Sequence, residues 1–177
     1  MITFLLGGAR SGKSALAVEL GRRHDGPVVF VATCPVVEDD DDLATRIERH
    51  RVSRPDWLTV EEPVELAAAV EKVDTDALTI VDCLTLWVSN RMFRGDDEQE
   101  VTGAAAAFAG ALLDRPGDAI VVSNEVGSGV HPEGELGRQY RDLLGRVNQI
   151  VAAASDTTLL VVAGRVVRLE DPWAVLG

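Results

Sequence analysis

Short, continuous apolar runs alternate along the chain with longer stretches of helical periodicity. Because these runs are not interrupted by polar residues at every second position, they predict strands that are buried on both faces. The predicted strands are Ile2–Leu6, Val28–Ala32, Leu78–Val81, Ile120–Ser123 and Leu159–Ala163, followed, after a turn at Gly164, by Arg165–Leu169.

The stretches between these runs predict helices. They are Lys13–Arg23, Val64–Val73, Leu84–Phe93, Val101–Leu113 and Leu136–Ala154. Strands that alternate with helices in this way are typical of an α/β fold, in which a mostly parallel sheet carries helices on both faces. The chain has 177 residues and no Gly/Ser-rich linker, so we expect a single domain over residues 1–177.

The charge of the chain narrows the class of partner. The sequence has 17 Lys and Arg against 29 Asp and Glu, a formal net charge of −12. Such a chain is repelled by nucleic acid and by anionic membranes, so we expect neither as a partner. Cys34 and Cys83 form no CxxC pair, which argues against a disulfide framework or a cysteine zinc site. No apolar run has the length of a membrane span, and we expect a cytoplasmic protein.

The most informative motif follows the first predicted strand and opens the first predicted helix. It matches G-x-x-x-x-G-K-[ST] at Gly7, Gly8, Ala9, Arg10, Ser11, Gly12, Lys13 and Ser14. In such a phosphate loop the backbone N–H groups and the helix N-terminus bind phosphate oxygens. Lys13 is then expected to reach the β- and γ-phosphates, and the Ser14 hydroxyl to bind Mg²⁺. The alternative is a glycine-rich turn without a ligand.

A carboxylate ends another predicted strand. The apolar run 78–81 is followed directly by Asp82. In nucleotide-binding proteins with a phosphate loop, an acidic residue in this position contacts the metal ion. The alternative is that Asp82 caps the helix that begins near Leu84. Together with the phosphate loop, the pattern favours a contact with metal and nucleotide.

His50 lies in a basic segment of this acidic chain. The arginines around it are Arg46, Arg49, Arg51 and Arg54. A helix beginning near Leu43 would place Leu43, Ile47 and His50 on one face. In one interpretation His50 is a half-buried structural residue and the arginines are solvated. In the other, a neutral imidazole faces a nucleotide cleft and attacks phosphorus, while arginines bind the phosphate oxygens.

Three further features carry weaker predictions. The acidic run 38–42 is interpreted as a solvated loop whose last residue, Asp42, caps the next helix, rather than as a metal site. His24 and His131 are interpreted as surface residues. The glycine-rich stretch Val126–Gly137 is either an ordinary connection or a wall of the binding site.

Several blocks of the sequence match one known family. They are GGARSGKS at 7–14, Ala32-Thr33, Arg46-Ile47-x-x-His50-Arg51-x-x-Arg54-Pro55, Trp57-x-Thr59-Val60-Glu61, Asp82-Cys83-Leu84-Thr85, Ser123-Asn124-Glu125-Val126-Gly127-x-Gly129 and the block 141–149. Over essentially its whole length the chain resembles the bifunctional adenosylcobinamide kinase/adenosylcobinamide-phosphate guanylyltransferases of cobalamin biosynthesis. The block around His50 and the block at 123–129 are more specific than the phosphate loop.

The resemblance implies a RecA-like P-loop fold and two reactions. In the first, a nucleoside triphosphate, ATP or GTP, phosphorylates the hydroxyl of adenosylcobinamide. In the second, GMP passes from GTP to adenosylcobinamide phosphate, which gives adenosylcobinamide-GDP and pyrophosphate. The resemblance also implies Mg²⁺ as the cofactor and a homotrimer as the assembly.

The resemblance further assigns roles to residues. His50 would be the nucleophile that forms a GMP-histidine. The phosphate loop and the strand ending at Asp82 add Lys13 as the other catalytic residue and Ser14 and Asp82 as the residues that hold the metal. The expected nucleotide contacts are Gly7 to Ser14, Thr33, Cys34, Pro35, Arg51, Val52, Ser53, Arg54, Glu61 and Asp82.

One departure from the family pattern bears on the nucleophile. Some members have two adjacent histidines where this chain has Arg49 and His50, so His50 is the single candidate. The general base of the kinase step is not identified by the sequence, which offers both Glu125 and Asp82. Two other functions stay open at this point: a small-molecule kinase without nucleotidyl transfer, and a nucleotide-binding regulator without chemistry.

Overall fold

The computed structural model of the protein describes residues 1–34 and 54–177. In these residues the strands are β1 (Ile2–Gly7), β2 (Val28–Ala32), β3 (Leu58–Glu61), β4 (Leu78–Asp82), β5 (Ala119–Val122), β6 (Thr157–Val162) and β7 (Arg165–Leu169). The helices are α1 (Lys13–Arg22), α2 (Leu66–Glu71), α3 (Leu84–Arg94), α4 (Glu98–Asp114), α5 (Glu135–Ala153) and α6 (Pro172–Leu176). The acidic run 38–42 and the helix predicted from Leu43 lie outside the described residues.

All seven strands belong to one sheet, in the order β3-β2-β4-β5-β1-β6-β7. Neighbouring strands pair in parallel except for β7, which pairs antiparallel with β6. The carboxyl ends of β1, β5 and β4 therefore meet at one edge of the sheet. The predicted α/β fold with a mostly parallel sheet is confirmed.

Helices cover both faces of the sheet, and successive residues of β1 show how. Phe4 and Leu5 are fully buried but point to opposite faces, as neighbouring residues of a strand must. Leu5 packs in the cluster that includes Ala17 of α1. Phe4 packs with the larger cluster on the other face, to which α2, α3, α4 and α5 contribute. No helix within residues 1–34 and 54–177 combines the length and apolar character of a membrane span.

The sequence prediction misses two elements and overstates the burial of a third. The edge strand β3 is short and its residues are exposed or half-buried, so its apolar signal is weak. Helix α6 has only five residues, buries none of them, and is begun by an Asp171 cap ahead of Pro172. The prediction that β6 is buried on both faces is wrong, because β6 lies next to β7, all of whose residues are exposed.

Helix boundaries differ from prediction where polar side chains bond to the backbone. α2 is shorter than the predicted 64–73, because the Glu62 carboxylate accepts the N–H groups of Val64 and Glu65 and holds a turn there. α4 begins earlier than predicted, because Asp97 and Glu100 form a reciprocal capping box at its start. The hydrophobic pattern alone carries neither signal.

Gly21 offers a test of the packing between α1 and the sheet. A Cβ at this position would lie 2.6 Å from Trp57 Cη2 and 2.8 Å from Ile80 Cδ1. We therefore expect Gly21→Ala to destabilise the protein by about 1–3 kcal/mol, although alanine has the higher helix propensity. Urea unfolding measures this. The control is Gly103→Ala in α4, where nothing lies within 4 Å of the added methyl group, and which should stabilise by up to about 1 kcal/mol. Stabilisation by both variants would contradict this packing.

Candidate active site

The phosphate loop has the context that its sequence requires. β1 ends at Gly7, the loop follows, and α1 begins at Lys13. Arg10 and Gly12 adopt positive φ values of 57° and 103°, which give the loop its tight reversal. Gly12 is the N-cap of α1 and provides no side-chain cap. The N–H groups of the first turn are thus not bonded to a capping side chain, which suits them for binding an anion.

The turn between β6 and β7 supports this loop from behind. The Gly164 N–H donates to the Ser11 carbonyl oxygen at 2.8 Å. A Cβ on Gly12 would lie 3.4 Å from Gly164 Cα, so the two backbones are in van der Waals contact. Ala163 and Gly164 have φ values of 50° and 71°, the left-handed pair of a tight hairpin turn. The hairpin at the edge of the sheet thus helps to set the shape of the phosphate loop.

Lys13 is buried inside the loop. Its Nζ donates to the Gly8 carbonyl oxygen at 3.0 Å. Burial lowers the pKa of Lys13, and the nearby Cys83 and Asp82 oppose part of that shift. A cation removed from water in this way gains from any anion that enters the loop. The site is therefore electrostatically suited to a phosphate group.

Asp82 is the last residue of β4 and acts on the same ammonium group. The N-cap position of α3 is Cys83, one residue after Asp82, so Asp82 does not occupy the capping position that the alternative interpretation gives it. Burial, with a further contribution from Asp82, raises the pKa of the Cys83 thiol to about 11. At neutral pH the thiol is therefore protonated.

The residues beside the loop fit a magnesium ion. Ser14 lies in the first turn of α1, next to Lys13, and Asp82 is close enough to Lys13 to affect its pKa. A hydroxyl and a carboxylate are hard oxygen ligands, and Mg²⁺ bound with a nucleotide takes its other ligands from phosphate and water. The donor set therefore agrees with the expected cofactor, and the metal site stays a prediction.

A polar wall that the sequence does not reveal lies beyond Asp82. The Asn124 N–H donates to Thr85 Oγ1 at 2.9 Å, and Tyr140 Oη donates to the Thr85 carbonyl oxygen at 3.1 Å. Asn148 Nδ2 donates to the Asn124 carbonyl oxygen at 3.0 Å. Burial raises the pKa of Tyr140 to about 12. These bonds join the carboxyl end of β5 to α3 and α5. Thr85 and Asn124 each belong to a sequence block that carries the family resemblance, but the sequence does not show that the two residues are in contact.

The stretch after β5 is held in place by its own side chains. Glu125 Oε1 accepts the N–H groups of Gly127 at 2.6 Å and Ser128 at 3.2 Å. Arg138 Nη1 donates to the Pro132 carbonyl oxygen at 3.1 Å. One oxygen of Glu125 is thus engaged with the loop, which does not favour this residue as the general base. Arg138 of α5 thus anchors the loop, most of whose residues are exposed, and its role as a wall of the site stays a prediction.

The other predicted site residues are distributed over β2, β3 and the segment between them. Glu61 ends β3 and is exposed, and Cys34 is half-buried just beyond β2. The Arg54 guanidinium stacks over the Phe30 ring at 3.8 Å and donates to Thr59 Oγ1 at 3.1 Å. The residues that lie outside the described part of the chain are Pro35, His50, Arg51, Val52 and Ser53. Their contacts with nucleotide, like those of Arg54 and Glu61, stay predictions.

The other two histidines, His24 and His131, are not part of the phosphate loop. His131 is exposed, as expected, and its Nδ1 lies 2.7 Å from Arg141 Nη1. His24 is half-buried at the end of α1, with Nε2 enclosed, and is less exposed than expected.

The fold and the loop place the chain in the class of P-loop nucleotide-binding proteins. A Pyrococcus horikoshii protein aligns with a TM-score of 0.59 at 8% identity, over 97% of this chain and 86% of the other. An ATPase from the type III secretion system of pathogenic bacteria aligns with a TM-score of 0.60 at 10% identity, over 90% of this chain and 50% of the other. Identities this low establish similarity of fold alone.

Sequence comparison then identifies the family. Residues 3–169 match the family model described as cobinamide kinase / cobinamide phosphate guanyltransferase. The chain belongs to this family of enzymes, which confirms the resemblance inferred from its motifs. The bifunctional adenosylcobalamin biosynthesis protein CobP of Pseudomonas aeruginosa is 41% identical over 166 residues, covering 93% of this chain and 94% of the relative. The corresponding protein CobU of Escherichia coli is 35% identical over 184 residues, covering 96% and 100%.

The contact between Gly164 and the phosphate loop generates a prediction for nucleotide binding. Alanine at Gly164 fits without a clash but must adopt φ 71°, which costs about 1 kcal/mol. Relaxation of that strain moves the turn away from Ser11, so we expect affinity for GTP to fall about fivefold, measured by calorimetric titration. The matched control is Gly95→Ala, which has similar strain (φ 98°) and an open site at the far end of α3. Equal affinities of the two variants would contradict the coupling.

The raised pKa of Cys83 predicts a loss of stability in alkali. The pKa of this thiol is near 9 in the unfolded chain and about 11 in the folded chain. The stability linked to the thiol is therefore fully present below pH 9, and it is lost as the pH rises through about 11. The free energy of unfolding should therefore fall by on the order of 2 kcal/mol between pH 9 and 11. Urea unfolding at each pH measures it. Cys83→Ala should show a smaller fall and Cys34→Ala the full one; identical profiles for all three proteins would disprove the assignment.

Proposed function

We propose that this chain performs both reactions of its family at the carboxyl edge of the sheet. It first transfers a γ-phosphoryl group from ATP or GTP to the hydroxyl of adenosylcobinamide. It then transfers GMP from GTP to the resulting phosphate, which yields adenosylcobinamide-GDP and pyrophosphate. The observation that carries the proposal is the buried Lys13 ammonium, held in a complete phosphate loop beside Asp82, in a chain that matches bifunctional relatives over almost its whole length.

In the first reaction the acceptor oxygen forms a bond to the γ-phosphorus, and the bond from that phosphorus to the β–γ bridging oxygen breaks. The loop amides and Lys13 orient the triphosphate and offset its charge, which is most of what a loose phosphoryl-transfer transition state needs. We infer that the acceptor approaches past the wall formed by Thr85, Asn124 and Tyr140, the polar surface beyond Asp82. The proton of the acceptor hydroxyl passes to a base that we leave unassigned.

We propose that the second reaction proceeds in two steps through His50. A neutral imidazole nitrogen forms a bond to the α-phosphorus of GTP, and pyrophosphate leaves. The phosphate of the acceptor then attacks the same phosphorus, and the bond to the imidazole breaks. Two steps avoid the direct approach of one highly charged phosphate to another. The assignment of His50 rests on its sequence block.

When bound, Mg²⁺ supplies positive charge to the phosphate oxygens of the nucleotide. We propose that Ser14 and Asp82 hold it, because they provide two oxygen ligands beside Lys13. We place the reactions in the cytoplasm, where both nucleoside triphosphates are available.

We further propose that the chain assembles as a homotrimer, as the family resemblance implies. In support, the carboxyl-terminal part of the chain exposes apolar side chains to an extent that is unusual for a monomer. They are Val162, Val166, Val167, Leu169, Trp173, Val175 and Leu176, each at least 40% exposed. Within residues 1–34 and 54–177, β7 is also an edge strand with one unpaired side, the kind of surface that subunit association covers.

Labelling with GTP tests the covalent step. Wild-type protein incubated with GTP labelled at the α-phosphate should acquire an acid-labile label, because a phosphorus–nitrogen bond is hydrolysed in acid. His50→Asn should acquire none and keep part of its kinase activity, whereas Lys13→Ala should lose both reactions. GTP labelled at the γ-phosphate is the control and should label neither protein. If the wild-type protein turns over substrate but never acquires the α-label, the covalent step is contradicted, and the remaining function is that of a kinase without nucleotidyl transfer.

Sedimentation tests the assembly. Val167→Glu places a charge in the exposed apolar surface of β7 and should reduce the sedimentation coefficient from that of a trimer to that of a monomer. The control is Leu113→Glu at the end of α4, which is also exposed, at 61%, but lies outside the carboxyl-terminal surface. A monomeric wild-type protein, or a trimeric Val167→Glu variant, would contradict the proposal.

A further inference from the structure

Thr33 bonds to the backbone around Asp82 through its hydroxyl and its amide. The residue follows β2 directly and is 0% exposed. Its Oγ1 donates to the Cys83 carbonyl oxygen at 2.8 Å and accepts the Cys83 N–H at 2.9 Å. Its own N–H points to the Asp82 carbonyl oxygen, at an N–O distance of 3.4 Å. The residue after Asp82 is therefore held on both sides of its backbone by one side chain.

Asn90 holds the other end of Thr33. Its Nδ2 donates to the Thr33 carbonyl oxygen at 2.8 Å and to the Pro63 carbonyl oxygen at 3.0 Å. Asn90 lies on α3, two turns after the N-cap Cys83. The bonds therefore form a closed circuit: Thr33 contacts Cys83 through its hydroxyl, α3 connects Cys83 to Asn90, and Asn90 returns to the Thr33 carbonyl.

This circuit ends next to Asp82, whose carboxylate influences Lys13 in the phosphate loop. Asp82 is joined covalently to Cys83, and its carboxylate acts on the Lys13 ammonium. A displacement of the Cys83 backbone must move Asp82, and small displacements of a ligand weaken the binding of a metal ion that requires near-ideal geometry. Thr33 itself has a buried hydroxyl that is already bonded as donor and as acceptor, so its side chain is better suited to acting through Asp82 than to touching a nucleotide.

We propose that Thr33 and Asn90 are positioning residues that fix the Asp82 carboxylate for the metal–nucleotide complex. The inference rests on the proposed function, because it assumes that Asp82 binds Mg²⁺ together with a triphosphate. It assigns to Asn90, which no motif singles out, a role in the chemistry of a site that it does not touch.

The test compares nucleotide binding with and without the metal ion. The probe is a GTP analogue with a methylene group between the α- and β-phosphates, which cannot lose pyrophosphate, titrated calorimetrically into the full-length protein in Mg²⁺ or in EDTA. For each protein the result is the ratio of its affinity for the analogue in Mg²⁺ to its affinity in EDTA, here called the Mg²⁺ factor. This readout is independent of turnover.

Thr33→Val and Thr33→Ser form the matched pair. Valine has nearly the shape of threonine but lacks the hydroxyl, and serine keeps the hydroxyl. We expect Thr33→Val to reduce the Mg²⁺ factor at least tenfold, whereas Thr33→Ser keeps most of the factor. Asp82→Asn should remove the factor, and the double variant with Thr33→Val should be no worse than Asp82→Asn alone, because residues that act as a unit are not additive.

Two further variants separate positioning from stability. Asn90→Leu removes both amide bonds at the other end of the circuit and should also reduce the Mg²⁺ factor, which keeps the test informative if Thr33→Val does not fold. Thr79→Val is the control: Thr79 is buried on β4, and its hydroxyl bonds to Arg115 at the end of the strand remote from Asp82. It should lower the unfolding midpoint but leave the Mg²⁺ factor unchanged.

The outcomes distinguish this inference from the function on which it rests. A wild-type protein whose affinity for the analogue does not depend on Mg²⁺ would overturn both. If the wild-type protein has a large Mg²⁺ factor and both Thr33→Val and Asn90→Leu have the same factor, the inference alone is overturned. So would equal losses of affinity in Mg²⁺ and in EDTA, because a merely structural role would weaken all binding alike.

Discussion

The phosphate site depends on one electrostatic constraint, a lysine ammonium that is buried at the carboxyl edge of a parallel sheet and influenced by a nearby carboxylate. Lys13 lies within the phosphate loop, where burial lowers its pKa and Asp82 partly opposes that shift. A buried ammonium is stabilised by nearby negative charge, which Asp82 supplies here and to which a phosphate group in the loop would add. Because β5 lies between β1 and β4, the sheet order itself brings the loop after β1 close to the end of β4.

The protein supports the two members of this pair from opposite directions. The loop that holds Lys13 rests on the turn at Gly164, which belongs to the hairpin of β6 and β7. The end of β4 that carries Asp82 rests on Thr33 and, through it, on α3. The hairpin also carries the exposed apolar surface proposed for subunit contact. The proposed assembly would therefore use the same hairpin that supports the phosphate loop.

The sequence predicted those parts of the site that are formed by residues close together along the chain. The phosphate loop, the strand ending at Asp82 and the central strands were predictable, because glycine spacing and apolar runs act within one segment. The contacts of Gly164 with the loop and of Asn90 with Thr33 were not predictable, since they join residues that are distant along the chain and carry no motif. β3 was missed for another reason: an edge strand needs few apolar residues and shows little pattern.

The state of the Lys13 ammonium is the most direct test of the central claim. The chain contains only two lysines, Lys13 and Lys72, so protein labelled with ¹³C-lysine gives two resolvable side-chain signals in an NMR titration. In the free protein we predict that Lys13 titrates below the ordinary range of lysine, and that its pKa rises when a guanosine triphosphate analogue and Mg²⁺ are added. An ordinary pKa that the nucleotide leaves unchanged would contradict the account, because the ammonium would then be neither desolvated nor in contact with phosphate.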